Sequence, residues 1–191
     1  MSTEYYEQNA QDFFEGTVDV DMSELYERFL PLVPEGGSIL DAGCGSGRDA
    51  LAFKKQGYKV TAFDASKTLC KLASELLGQT VDCMRFNEMS RQGEFDAVWA
   101  CASLLHVPRT ELPDSISALI GSLKPGGVMY CSFKLGDTEC ERDGRFFTDM
   151  TDSSFRSLMG NVNPEAEVET WNTKDQRPDR DESWLNALVR L

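Results

Sequence analysis

Ser38-Ile39-Leu40-Asp41-Ala42-Gly43-Cys44-Gly45-Ser46-Gly47-Arg48-Asp49-Ala50 is the stretch that decides how this chain folds. An apolar strand runs straight into three glycines at alternating positions, and a helix pattern, Asp49-Ala50-Leu51-Ala52-Phe53-Lys54-Lys55, follows at once. Glycine lacks Cβ, so such a turn takes positive φ angles and lets a ligand approach bare backbone. The loop therefore sits at the carboxyl edge of a parallel sheet, where open α/β sheets bind ligands. Its spacing, Gly43-x-Gly45-x-Gly47, is not the G-x-G-x-x-G of a dinucleotide fingerprint, because Arg48 occupies the place of the third glycine. No G-K-[ST] follows either. The loop is shaped for a ligand without a pyrophosphate.

Working outward, Lys59-Val60-Thr61-Ala62-Phe63-Asp64 reads as the next strand. It ends on an acid about twenty residues beyond the loop, where a carboxylate can accept both hydroxyls of a ribose. The alternative role for Asp64 is an N-cap for the helix beginning near Lys67.

Together these residues resemble class I S-adenosylmethionine-dependent methyltransferases, whose first strand typically reads (V/I/L)-L-D-x-G-x-G-x-G. Ile39, Leu40, Asp41, Gly43, Gly45 and Gly47 match that pattern, and Asp64 matches the acid that ends the family's second strand. Phe95-Asp96-Ala97-Val98 is similar to the fourth strand, and Leu123-Lys124-Pro125-Gly126-Gly127 to the turn into the fifth. The matches are in order and span residues 38 to 133. The small size, the short N-terminal helix and the Ser-Leu-Leu-His segment at 103–106 look like the tellurite-resistance-type or ubiquinone-biosynthesis-type branch, which methylates small molecules.

The resemblance implies S-adenosylmethionine as cofactor and S-adenosylhomocysteine as product. It implies a cofactor set of Asp41, Gly43, Cys44, Gly45 and Gly47 in the loop, with Asp64 and Ala65 at the ribose. Asp41 would orient the loop near the methionyl amino group, or cap the following helix. Phe86 and Asn87 would meet the adenine, although Met84-Arg85-Phe86-Asn87-Glu88-Met89 departs from the family's common aspartate. Ala100 and Cys101 would pass the sulfonium end.

Composition bounds the rest. At 191 residues and 41% hydrophobic content the chain suits one domain, taken here as 1–191 with a helical cap at 1–33. Nineteen Lys and Arg against 32 Asp and Glu give a formal charge of −13, which repels a phosphate backbone and makes nucleic acid an unlikely partner unless Arg142, Arg145, Arg177 and Arg180 form a local patch. Six cysteines with no C-x-x-C pair and a single histidine point to neither a disulfide framework nor a metal site. The start, Met1-Ser2-Thr3-Glu4, lacks a basic and apolar leader, and no apolar run approaches a membrane span, so a cytoplasmic protein is expected.

The pattern predicts an α/β fold: a doubly wound, mostly parallel seven-stranded sheet with a C-terminal antiparallel hairpin, Rossmann-like as in class I methyltransferases. Strands are expected at 38–42, 58–63, 81–86, 94–100, 127–134, 166–172 and 183–190. Helices are expected over the N-terminal aromatic face, from Asp21 or Ser23 to Leu30, and at 48–56, 67–77, 111–123 and 151–160. Residues 172–183 read as a hairpin loop.

The acceptor side is less determined. His106 follows the fourth strand and suits a general base, or is a histidine hydrogen-bonded to backbone at a helix start. Tyr6 and Phe14, on a face with Tyr5 and Phe13, either lid the cofactor and meet substrate or belong to the core. Arg145, Arg177 and Arg180 either fork onto an acidic group of the acceptor or balance nearby acids at the surface. The acceptor is expected to be a small molecule. Rival readings are a wobble-uridine-type tRNA methyltransferase and a regulatory protein that binds the cofactor without turnover. Residues 100–103, Ala-Cys-Ala-Ser, lack the (N/D/S)-P-P-(Y/F) tetrapeptide of DNA amino-methyltransferases, and Cys101 has no neighbouring proline.

Overall fold

The computed structural model describes residues 2–175, 177 and 180–191. Its strands are β1 (Ser38–Ala42), β2 (Lys59–Asp64), β3 (Asp82–Cys83), β4 (Phe95–Ala100), β5 (Leu123–Lys134), β6 (Glu139–Arg142), β7 (Arg145–Thr148), β8 (Glu167–Lys174) and β9 (Ser183–Arg190). Its helices are α1 (Ser2–Gln8), α2 (Ala10–Thr17), α3 (Ser23–Phe29), α4 (Arg48–Lys55), α5 (Lys67–Leu77), α6 (Leu112–Gly121) and α7 (Asp152–Val162). Seven strands form one sheet in the order β3-β2-β1-β4-β5-β9-β8, and β6 with β7 forms a separate hairpin. β1 to β5 pair in parallel, while β9 runs antiparallel between β5 and β8. The doubly wound sheet with a terminal hairpin is the architecture expected.

The central strands are apolar on both faces, as parallel strands covered by helices must be. Alternation sends Ile39, Ala97, Trp99, Val128, Tyr130 and Leu188 to one face, where Leu25 and Phe29 of α3 and Phe53 of α4 cover them. Leu40, Val98, Ala100, Met129, Cys131 and Val189 face the other way, onto α6 and α7. Trp99 stacks on Tyr130 at 4.0 Å and packs against Phe29 and Phe53. Truncating such a residue to alanine costs about 3–5 kcal/mol.

From β1 the chain builds outward to β3, then crosses to β4 on the other side of β1. The carboxyl ends of β1 and β4 thus flank a crevice at the point where strand order reverses. β2 hands over to α5 through Ser66, whose hydroxyl accepts from Leu69 N–H at 3.2 Å, and Gly78 ends that helix in a left-handed conformation.

Several expected boundaries move, each for a local reason. β3 is only Asp82–Cys83 rather than 81–86, because a 3₁₀ turn at Phe86–Glu88 bends the chain back toward the crevice. β5 begins at Leu123 rather than 127, since Leu123 pairs with Phe95 before an irregularity in the ladder. The N-terminal aromatic helix is two helices, broken at Asn9, whose amide donates to Tyr5 O at 2.8 Å. The expected cap of residues 1–33 divides: α1 and α2 lie against α5, and α1 also touches β7, whereas Leu25, Phe29, Leu30 and Val33 are buried in the core. The hairpin of β6 and β7 was not expected at all. Its turn is Asp143-Gly144, both at positive φ (49° and 73°), the dipeptide that favours a two-residue hairpin connection. No helix among the described residues is long and apolar enough to cross a membrane.

Candidate functional site

The glycine loop leaves β1 and is fastened to the tip of β2. Gly43 and Cys44 N–H both donate to Phe63 O at 2.9 Å, and Gly45 N–H donates to Asp64 Oδ2 at 2.9 Å. Gly43 and Gly45 hold φ of 76° and 54°. A Cβ on Gly43 would stand 2.5 Å from Ser103 Cβ, and one on Gly45 3.0 Å from the Phe13 ring. The loop is therefore pressed between the end of β4 and α2, with no room for a side chain at either position.

Two adjoining cavities open on this loop. The larger, about 420 Å³, is lined by Asp64, Ala65, Met84, Phe86 and Asn87 together with Gly43 and Gly45. Asp64 presents one carboxylate oxygen to Gly45 N–H and the other to Ser66 N–H at 2.9 Å. Burial pushes its carboxyl up, and these backbone donors pull against the shift. Each oxygen keeps a lone pair for a further donor. Phe86 stands edge-on to Phe63 at 5.5 Å and gives the cavity an aromatic wall.

The smaller cavity, about 160 Å³, holds most of the charged and titratable groups. Arg48 and Asp49 line it where α4 begins. Asp49 accepts from Arg48 Nε and Nη2 (2.6 and 2.9 Å), from the Tyr26 hydroxyl (2.5 Å) and from Trp99 Nε1 (2.8 Å). Burial alone would raise this carboxyl, but the Arg48 charge and those donors outweigh it and hold Asp49 low. Asp41, buried beneath and next to the Asp49 charge, is pushed up instead.

His106 lies on a 3₁₀ turn after β4 and lines both cavities. Its Nδ1 is 2.7 Å from Phe146 O and its Nε2 2.8 Å from the Tyr6 hydroxyl. A carbonyl only accepts, so Nδ1 carries the proton and Nε2 accepts from Tyr6. Burial, the Phe146 carbonyl working against it and the Arg145 and Lys134 charges working with it, takes the imidazole down to about 4. The ring is neutral near pH 7. Burial also raises the Tyr6 phenol, which stays protonated.

The structure brings together Gly43, Cys44, Gly45, Asp64, Ala65, Phe86, Asn87, Cys101, His106, Tyr6, Arg145, Arg177 and Arg180 around the two cavities. The other expected residues, and some of these, hold further places in the structure. Asp41 lines neither cavity and accepts from Ala50 N–H at 3.1 Å, so it caps α4, the structural alternative. Ala100 is 0% exposed inside the core, and the next residues, Cys101 and Ala102, take the place expected of it. Gly47 faces Ala73 of α5, at 3.1 Å from an added Cβ, and serves helix packing. Phe14 lines neither cavity; Phe13, one position earlier on α2, covers Gly45 instead. Asp64 does not cap α5, a task Ser66 performs. Cys101 is pushed to about 12 by burial and the nearby Asp49 charge, and is a packing thiol. Arg177 is tied to Asp175 through Nε and Nη2 (2.9 and 2.6 Å), and Arg180 sits 3.8 Å from Glu182. Pro178 and Asp179 of that loop lie outside the described residues.

Other site features had no clear sequence signal. Ala102 holds φ 50° while donating to Ser132 Oγ at 2.8 Å, and Ser103 donates to Ala42 O at 2.7 Å. Arg109 ties the β6–β7 hairpin to the His106 turn through Glu139 Oε1 (2.7 Å) and Asp149 O (3.0 Å).

The family model described as a methyltransferase domain matches residues 14–175. Among curated proteins, the putative methyltransferase YqeM of Bacillus subtilis is 27% identical over 116 residues, covering 55% of this chain and 47% of its own. A ubiquinone biosynthesis O-methyltransferase of Xanthomonas axonopodis pv. citri is 35% identical over 108 residues, covering 53% and 44%. The chain spans less than half the length of these relatives. Among solved structures, the 1,6-didemethyltoxoflavin-N1-methyltransferase of Burkholderia thailandensis superposes with a TM-score of 0.82 at 19% identity, over 98% of this chain and 86% of that one. At that identity the likeness concerns the fold. With a family match across most of its length and the glycine loop, acidic strand tip and paired cavities in place, the chain belongs to the methyltransferase domain family.

Proposed function

We propose that this chain is an S-adenosylmethionine-dependent methyltransferase acting on a small-molecule acceptor, that residues 1–191 work as one domain, and that the protein is cytoplasmic. The observation that carries the reading is the clamp of Asp64 on Gly45 N–H beside an aromatic-walled cavity of about 420 Å³. That volume accommodates a nucleoside, and Gly43 and Gly45 line it with backbone alone. The solved relative from Burkholderia carries S-adenosylhomocysteine, which supports the same choice of ligand here. When bound, the cofactor supplies a methyl group already activated by a sulfonium.

The chain's own residues then have defined tasks. Asp64, with Ala65 beside it, would accept ribose hydroxyls, Phe86 and Asn87 would meet the adenine, and Cys44 and Cys101 would border the sulfur-bearing chain. Tyr6 donates its hydroxyl proton to His106 Nε2, so the phenolic oxygen is left with lone pairs for the proton of an acceptor hydroxyl or amine. His106, its tautomer fixed by Phe146 O, orients Tyr6 and is too weak a base at about pKa 4 to dominate catalysis. Holding a nucleophile in line with the methyl in a dry pocket supplies most of the rate. The net charge of −13 favours a small acceptor over RNA.

Calorimetry with S-adenosylhomocysteine tests the reading. Wild-type protein binds it saturably and Asp64→Ala weakens it at least tenfold; absence of binding by a folded wild-type protein overturns the proposal. Release of S-adenosylhomocysteine against a panel of acceptors separates turnover from mere binding.

A further inference from the structure

Arg145, the first residue of β7, differs from its neighbours. Arg48, Arg142 and Arg177 each sit on a carboxylate (Asp49, Asp149 and Asp175), Arg180 lies near Glu182, and Lys134 pairs with Glu182 as well. Arg145 has no carboxylate partner among the described residues. Its guanidinium lies over the ring of Tyr5 at 4.7 Å and that of Phe147 at 5.3 Å, and its Nε is buried without a hydrogen-bond partner. Aromatic faces hold a guanidinium flat without using its in-plane N–H donors. A buried donor left unpaired costs about 1–3 kcal/mol, so an acceptor atom brought by a ligand would be favoured there.

The surroundings carry the same sign. Six cationic side chains against three carboxylates line the smaller cavity, a formal +3, and pairing Lys174 with Asp181 still leaves +2. The whole chain carries −13, so this is a local reversal of charge where the acceptor would sit. Arg145 also belongs to the Tyr6–His106 side of that cavity, since Phe147 packs on His106 at 4.9 Å. The cation beside the glycine loop is Arg48, at the start of α4.

We propose that the methyl acceptor carries a carboxylate and that Arg145, held against the rings of Tyr5 and Phe147, seats it beside the Tyr6 hydroxyl. This rests on the methyltransferase reading above and narrows its substrate class. The carboxylate could belong to the acceptor or to the amino-acid end of the cofactor, and the test below separates the two.

The test uses protein saturated with S-adenosylhomocysteine and titrated calorimetrically with acetate, benzoate and indole-3-acetate, each beside its primary amide. At least one acid binds saturably, its amide at least tenfold more weakly, and Arg145→Gln loses the acid at least tenfold while its affinity for S-adenosylhomocysteine stays within twofold and its melting temperature is kept. Arg145→Lys, which retains charge but not the planar fork, recovers part of the binding. Binding of no acid, equal binding of acid and amide, or indifference to Arg145→Gln overturns the inference and leaves the methyltransferase reading standing. A tenfold loss of S-adenosylhomocysteine in Arg145→Gln assigns the guanidinium to the cofactor and also overturns it. Failure of wild-type protein to bind S-adenosylhomocysteine removes the parent reading, and the inference with it.

Discussion

His106→Asn gives a pH-dependent stability difference whose size follows from the geometry. In wild-type protein the imidazole sits between the Tyr6 hydroxyl and Phe146 O, and burial lowers it from 6.5 to about 4. A depressed folded-state value means that the unfolded chain binds the proton first. The stabilising contribution is therefore complete above about pH 6.5 and is lost as pH falls toward 4. A shift of that size corresponds to about 3 kcal/mol in full, and most of it is gone by pH 4.5. Carboxylates titrate over the same range: Asp41 and Asp64 are raised by burial, while Asp49 is held low by Arg48. They are common to wild type and variant, so only the difference between the two isolates His106. Urea unfolding at pH 7.5 and pH 4.5 reads it. Wild type exceeds His106→Asn by about 2–3 kcal/mol more at pH 7.5 than at pH 4.5. A gap that changes by less than about 1 kcal/mol between the two pH values refutes the assignment of a buried neutral imidazole.

Two further substitutions test the loop and the end of β4. Gly43→Ala places a methyl 2.5 Å from Ser103 Cβ at φ 76°, so it lowers stability by at least about 1–2 kcal/mol and abolishes S-adenosylhomocysteine binding in calorimetry; adding Ser103→Gly restores part of both, and a neutral Gly43→Ala contradicts the packing. Ala102→Gly relieves a left-handed alanine at φ 50°, worth about 1–2 kcal/mol, against about 0.5–1 kcal/mol of added chain entropy, so thermal unfolding shows a net gain of about 0.5–1 kcal/mol. A loss of stability there places the strain elsewhere.

The sheet was legible because its strands obey local rules that burial reinforces. β1 and β4 are apolar on both faces, Gly43 and Gly45 stand where a Cβ has no room, and Asp64 ends its strand where the loop can reach it. The site's finer assignments were not legible, because sequence spacing does not say which way a side chain turns. Phe13 and Phe14 are neighbours on α2, yet only Phe13 reaches Gly45, and the break at Asn9 that sets this angle is a local hydrogen bond with no strong composition signal. Asp41 suited two tasks by sequence, and only the structure shows its carboxylate on Ala50 N–H. The β6–β7 hairpin was missed although Asp143-Gly144 is a turn dipeptide, because the alternation around it is short and charged, and nothing local says that it folds back onto the His106 turn.

The way α1 is attached has an energetic meaning. Ser2 Oγ exchanges bonds with Phe146 (2.9 and 3.4 Å), Tyr6 reaches His106, and Glu7 accepts from Thr68 (2.6 Å). Side-chain bonds of this kind net about 0.5–1.5 kcal/mol apiece, so three attachments would favour a seated α1 over a detached one roughly 10- to 10³-fold. Bonds of that strength would make α1 a latch rather than a weld, able to let go without unfolding the sheet beneath.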